Sequence, residues 1–122
     1  MESLFEAIGA EKLEAILQTF YQRCFDDLMI GHFFFSKDHN ELLRHQLAFT
    51  SSMLGGPRAY EGRPLPQIHR AFPIRPAQFA RRQVILKETM REFGVSPEVE
   101  KAWMEKEENL RDLIMPNKEA CR

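Results

Sequence analysis

The sequence predicts an all-α fold, because apolar residues recur every three or four positions along most of the chain. Glycine and proline fall between these periodic stretches, where they would end one helix and start the next. No stretch of useful length alternates apolar and polar residues as a strand would. A chain of 122 residues suits one domain with a sizeable core, and we expect that domain to span residues 1–115, followed by a flexible tail over 116–122.

Local signals mark the first two helices. Ser3 and Glu6 form a capping-box pattern that starts a short helix, which Gly9 would end. The second helix, over about 10–26, has the most strongly amphipathic pattern in the chain. Its predicted buried face comprises Leu13, Ile16, Leu17, Phe20, Tyr21, Cys24 and Phe25.

Three further helices follow an aromatic corner at His32-Phe33-Phe34-Phe35. One runs from about His39 to Leu54, where Gly55-Gly56-Pro57 stops it. The next begins at Pro76 and runs to Phe93, and the last begins with Ser96 as N-cap and Pro97 in the first turn, ending near Met115. The spacing of the third helix places one set of side chains on a single face: Leu42, His45, Gln46, Phe49 and Met53.

Composition argues against several partners. The net charge is -1 with acids and bases interspersed, so no basic stripe indicates nucleic acid. No apolar stretch is long enough to cross a membrane, and the N-terminus lacks the basic start and apolar run of a signal peptide. Cys24 and Cys121 are far apart and in unlike settings, so we expect free thiols and a cytoplasmic location.

Common catalytic motifs are missing as well. The histidines at positions 32, 39, 45 and 69 lack the spacing of a zinc site, which disfavours a metal centre built from protein ligands alone. Gly55-Gly56-Pro57 is not a phosphate loop, and Ser52 is not in a nucleophile elbow. Hydrolase and nucleotide-binding functions therefore have no residues to support them.

The segment around His69 is the most distinctive in the chain. Pro64 and Pro66 precede this histidine and Pro73 follows it, which leaves room for only a short helix. A single histidine opposite a mainly apolar helix that carries a few polar side chains suits axial ligation of haem. An ordinary packed or surface histidine is the alternative, and His69 alone does not decide between them.

An ordered set of fragments resembles the truncated (two-over-two) haemoglobins, most of all group I. The resemblance runs from about Ser3 to Trp103 with compatible spacing. Its fragments are Phe20-Tyr21, Phe33-Phe34, His45-Gln46-x-x-Phe49, Leu54-Gly55-Gly56-Pro57, Tyr60-x-Gly62-Arg63 and His69. Gly9-Ala10 departs from the usual Gly-Gly, and no tryptophan lies within 77–93, where groups II and III carry one.

The resemblance implies a two-over-two helical sandwich around one haem b, with His69 as the proximal iron ligand. It makes Tyr21 the distal donor to a bound ligand, with Gln46 in support and Leu42 at the usual distal-histidine position. Phe34 would pack flat on the porphyrin, although an aromatic corner could equally be plain core. Phe49 would line the pocket with other apolar residues: Phe20, Met53, Leu54, Phe72, Ile74, Phe79 and Leu86.

His45 has two open roles under this resemblance. It could contact a haem propionate, or it could turn inward as a sixth iron ligand, as a histidine does in certain cyanobacterial members. Arg63, Arg44 and Tyr60 are further candidates for the propionate edge, which needs cations or hydrogen-bond donors.

Three functions follow as hypotheses. The first is binding of O2, NO and CO, with oxygen transport or dioxygenation of NO to nitrate, which would require an external reductase. The second is a bis-histidyl haem protein for electron transfer or protection against reactive nitrogen species, and the third is a haem-free helical module for protein contacts. We expect a monomer or weak dimer that binds neither nucleic acid nor membrane.

Overall fold

A computed structural model of the protein describes residues 2–56 and 75–111. The regular structure within these ranges is helical throughout, which confirms the all-α prediction. It consists of α1 (Leu4–Ile8), α2 (Ala10–Asp26), a 3-10 helix (Gly31–Phe34), α3 (His39–Met53), α4 (Pro76–Glu92) and α5 (Pro97–Asn109). Among the described helices, none has the length and apolar character needed to span a membrane.

The helix ends follow the local signals in the sequence. Ser3 Oγ accepts a hydrogen bond from the Glu6 backbone N–H at 3.0 Å, and the Glu6 carboxylate accepts one from the Ser3 N–H at 3.4 Å, so the capping box is formed. Gly9 ends α1 with a positive φ of 91°, a backbone conformation that glycine adopts readily. Ser96 Oγ caps α5 by accepting from the Val99 N–H at 3.3 Å.

The helices form two packed pairs. Helix α2 packs against α3, α4 packs against α5, and α2 also packs against α4, which joins the pairs. Burial of large apolar side chains at these contacts supplies the main stabilisation of the fold. The largest fully buried apolar residues are Leu13, Ile16, Phe20, Leu54, Phe79, Leu86, Met90 and Trp103.

The predicted inward face of α3 is only partly covered. Leu42, Gln46 and Phe49 are half-buried, whereas the buried residues of this helix are Thr50 and Ser51. The equivalent face of α2 is buried almost completely against its neighbours, apart from a half-buried Phe25. Apolar side chains of α3 therefore keep surface available for a further apolar group.

Candidate functional site

The described ranges include six of the predicted site residues: Tyr21, Phe34, Leu42, His45, Gln46 and Phe49. His69 and Arg63 lie between residues 57 and 74, outside the described residues, as do Tyr60, Phe72 and Ile74. The predicted tail over 116–122 is also outside them. What the structure describes is thus the side of the predicted pocket opposite the proposed iron ligand.

Tyr21 is the buried polar residue of α2. Its side chain is 6% exposed, and its ring makes an edge contact with Phe20 at 4.7 Å and a tilted contact with Phe25 at 6.2 Å between centroids. Burial raises the pKa of the Tyr21 hydroxyl above its ordinary value. The hydroxyl consequently stays protonated at neutral pH and keeps a hydrogen available for donation.

Four residues of α4 and α5 form a polar group that we call the Arg82 cluster: Gln83, Trp103 and Glu107, which are buried, and Arg82, whose side chain is 20% exposed. Arg82 Nη1 lies 2.9 Å from Glu107 Oε2 and donates to Gln83 Oε1 at 2.6 Å. Trp103 Nε1 donates to the other carboxylate oxygen of Glu107 at 3.0 Å. Both oxygens of Glu107 are thereby engaged, and its side chain is only 4% exposed.

The Arg82 cluster borders the Tyr21 hydroxyl. Burial is the largest cause and raises the pKa of the Tyr21 hydroxyl, whereas the positive charge of the nearby Arg82 guanidinium opposes that rise. Burial also opposes the charge of Arg82, but the attraction of Glu107, with Tyr21 and Cys24, raises the Arg82 pKa overall. The guanidinium lies over the Phe20 ring, with Cζ 5.2 Å from the centroid.

Sequence reasoning missed this cluster. Arg82 follows Phe79 by three positions and precedes Leu86 by four, so it occupies the apolar face of α4. Glu107 follows Trp103 by four positions on the inward face of α5. Opposite charges that interrupt two apolar faces were the signal that could have predicted a buried ion pair.

The aromatic corner is held by a set of ring contacts. Phe25 makes an edge contact with Phe34 at 5.1 Å and stacks on His39 at 3.8 Å. His39 Nε2 lies 3.0 Å from the Phe34 carbonyl oxygen and must donate to it, since a carbonyl only accepts. These contacts fix the half-buried Phe34 at the end of the 3-10 helix.

The polar residues of α3 are less constrained. His45 is half-buried, and its Nε2 lies 3.6 Å from Glu41 Oε1, which is too long for a hydrogen bond. Gln46 is half-buried on the same helix. Among the described residues, the groups whose charge shifts the pKa of Tyr21 are Arg82, Cys24 and Glu107.

A haem would suit this half of the pocket on chemical grounds. The half-buried apolar face of α3, the fixed Phe34 and the protonated Tyr21 hydroxyl provide flat apolar contact with one hydrogen-bond donor. A cavity of about 480 Å³ elsewhere, between α2 and α4, suits it poorly because charged side chains line it. These charges already form ion pairs, Arg23 with Glu92 and Arg81 with Asp27.

We predict that the protein loses stability in alkali, because the Cys24 thiol is buried. Burial raises its pKa from 9.0 to about 12, so its contribution to stability is fully present below pH 9 and is lost as the pH rises towards 12. Between these values the unfolded thiol ionises first, and the free energy of unfolding should fall by about 1.4 kcal/mol per pH unit from this group. Urea unfolding at pH 8, 9 and 10 measures the slope. Cys24→Ala should remove it between pH 9 and 10, and an equal slope in that variant would contradict the assignment.

Comparison with known proteins places this geometry in a family. The family model for bacterial-like globins matches residues 3–115. Among curated proteins, a group 1 truncated haemoglobin from Tetrahymena pyriformis is 27% identical over 99 residues, which cover 80% of this chain and 82% of that protein. The sequence resemblance to truncated haemoglobins is thereby confirmed.

Solved structures agree on the fold. Truncated haemoglobin from Tetrahymena pyriformis in its Fe(III) form superposes with a TM-score of 0.89 at 24% identity, covering 93% of this chain and 98% of that chain. A truncated oxygen-avid haemoglobin from Bacillus subtilis gives a TM-score of 0.81 at 30% identity, covering 93% and 99%. The predicted two-over-two helical fold is confirmed by these matches.

Proposed function

Because the chain belongs to the bacterial-like globin family, we propose that it binds one haem b and takes up diatomic gases, O2, NO and CO, at the haem iron. The observation that carries this proposal is Tyr21, a buried and protonated hydroxyl in contact with apolar rings, to which the family resemblance assigns the role of distal donor. The similar protein from Bacillus subtilis is described as oxygen-avid, which supports the same ligand class here.

Each predicted residue has a separate task in this proposal. His69 would bind the iron through a neutral imidazole nitrogen, with the other ring nitrogen held by an acceptor. Phe34, Leu42 and Phe49 would provide apolar contacts to the porphyrin, and Arg63 a cation for a propionate. When bound, the haem would supply an iron that binds the gas and exchanges one electron.

Tyr21 would stabilise a bound ligand that carries partial negative charge. Leu42 has no donor, so donation is left to Tyr21, with Gln46 in support. A site closed to water strengthens such a bond, because no solvent competes for the donor. A hydroxyl that donates to the ligand and a pocket closed to water would together give tight oxygen binding.

Dioxygenation of NO is the enzymatic activity that this arrangement would favour. One O2 and one NO would combine to one nitrate, for which a bound haem would supply one electron from its ferrous iron, and an external reductase would have to restore that electron. Mixing the oxygenated protein with one equivalent of NO should yield about one nitrate and one ferric haem per chain. Nitrite in place of nitrate, or a haem that stays oxygenated after mixing, would contradict this activity.

A bis-histidyl haem is the second candidate, and His45 favours it. The imidazole is not locked by Glu41 at 3.6 Å, and it lies on α3 one turn beyond Leu42. If His45 ligates, the reduced wild-type protein should show a low-spin absorption spectrum that becomes high-spin in His45→Ala. If it contacts a propionate instead, both proteins should be high-spin in the ferrous state, and the gas-binding function stands. Ser52→Ala, an exposed position on the same helix, serves as the control.

A further inference from the structure

The Arg82 cluster is an unusual feature for the interior of a small helical protein. An arginine and a glutamate share the buried contact of α4 with α5, beside Trp103, which is fully buried. Apolar residues of similar volume would often fill such a space with equal or greater stability. A contribution to stability alone is therefore a weak reason for these charges, and their neighbours indicate another.

Every described contact of the cluster limits the movement of the guanidinium. One carboxylate oxygen of Glu107 accepts a hydrogen bond from Arg82, and the other accepts one from the Trp103 N–H. Gln83 accepts a second hydrogen bond from the same Arg82 nitrogen, and the guanidinium carbon lies 5.2 Å from the centroid of the Phe20 ring. A long side chain that is normally mobile is thus held in one place, over the Phe20 ring that makes an edge contact with the Tyr21 ring, and its charge acts on the Tyr21 hydroxyl.

A phenol oxygen can accept one hydrogen bond while it donates another. When a cationic group donates to this oxygen, the hydroxyl hydrogen must point elsewhere, and its donor strength increases through polarisation. The direction left to the Tyr21 hydrogen is then available to a ligand. No described side chain accepts a hydrogen bond from Tyr21.

We infer that Arg82 is a positioning residue for Tyr21: its guanidinium, held by Glu107 and Gln83, donates to the phenol oxygen and directs the hydroxyl hydrogen towards the bound gas. This inference rests on the proposed function, since it assigns Arg82 an effect on ligand release through Tyr21. The Nε2 of Gln83 is a further buried hydrogen-bond donor in the cluster, and it has no partner among the described residues.

The test is a double-mutant cycle on oxygen release from the haem-loaded protein. Arg82→Met alone would leave the Glu107 charge buried without its partner, so Arg82→Met/Glu107→Gln is the variant to use. It should release oxygen about threefold to tenfold faster than the wild type, the effect of weakening one hydrogen bond. In a Tyr21→Phe background the same pair of changes should alter release less than about twofold. Equal acceleration in both backgrounds would overturn the inference.

A second readout needs neither oxygen nor haem. The chain has two tyrosines, so Tyr60→Phe leaves Tyr21 as the only one, and its ring carbon next to oxygen can be followed by carbon-13 NMR in either form of the protein. This resonance should shift in Arg82→Met/Glu107→Gln and stay in place in Arg81→Met, which removes a neighbouring arginine bound to Asp27. An unchanged resonance in the first variant would overturn the contact.

The two readouts separate the inference from the proposed function. If Tyr21→Phe alone leaves oxygen release unchanged, the proposed donor function of Tyr21 fails, while the NMR shift still decides whether Arg82 positions this side chain. If Tyr21→Phe accelerates oxygen release but the carbon-13 resonance of Tyr21 does not shift in Arg82→Met/Glu107→Gln, the proposed function stands and the inference is wrong.

Discussion

Tyr21→Phe should release oxygen about ten- to a hundredfold faster than the wild-type protein. The substitution keeps the ring and its contacts with Phe20 and Phe25, and removes only the buried hydroxyl. A hydrogen bond to a ligand with negative charge contributes about 1.5–3 kcal/mol in a dry pocket, which corresponds to that change in rate. Stopped-flow replacement of O2 by CO measures the release rate directly.

Thr89→Val is the control, because it removes another buried hydroxyl, one that donates to the Ile85 carbonyl oxygen and accepts from Arg23. It should leave the release rate near the wild-type value. Gln46→Leu should have a smaller effect than Tyr21→Phe, since Gln46 supports the donor in this account. A release rate in Tyr21→Phe within twofold of wild type would show that the hydroxyl does not contact the ligand.

Glu107→Leu should lower the free energy of unfolding by about 3–5 kcal/mol. Leucine fits the apolar surroundings, but it leaves the Arg82 guanidinium and the Trp103 N–H without the acceptor that both now use. A buried charge without a partner is more damaging than the loss of both partners together. Denaturant unfolding of the haem-free proteins measures the change without a contribution from ligand binding.

Two variants serve as controls for this prediction. Arg82→Met/Glu107→Leu should recover much of the lost stability, because it removes both charges. Glu108→Gln affects a neighbouring exposed carboxylate, paired with Arg111, and should change the unfolding midpoint little. The buried pair would be unimportant for folding if Glu107→Leu and Glu108→Gln unfolded at the same denaturant concentration.

Most helix boundaries were predictable because the responsible interactions are local, but the last helix was expected to end near Met115 and α5 ends at Asn109. Ser3 with Glu6, and Ser96 before Pro97, form their caps within three residues, so the chemistry is readable from the sequence. The inward residues of α2 were predictable for the same reason, since a period of three or four residues defines one helix face. Their burial depends on neighbours, but the pattern already indicates which side is turned inward.

The Arg82 cluster was not predictable in this way. Its ion pair joins residues on different helices, 25 positions apart, and an interior arginine or glutamate departs from the usual preference of charged residues for water. The arrangement of α3 was also incompletely predicted. Periodicity identified the face that includes Leu42, Gln46 and Phe49, but not how fully other residues cover it.

The predicted site residues depend on different kinds of reasoning. For Tyr21, its helical position indicated burial, whereas the role of donor came from the family resemblance. His69 and Arg63 lie outside the described residues, so their roles remain predictions. His45 lies on the expected face of α3, but its position there is compatible with either role.

The absorption spectrum of the purified protein, oxidised and then reduced with dithionite, tests the central claim most directly. We predict a Soret band equivalent to one haem per chain, a high-spin five-coordinate ferrous state and a stable complex with added oxygen. His69→Ala should lose the haem or bind it without the protein-derived axial ligand. A wild-type protein with no haem band, even after reconstitution with haem, would contradict this account and leave a haem-free helical module as the function of the chain.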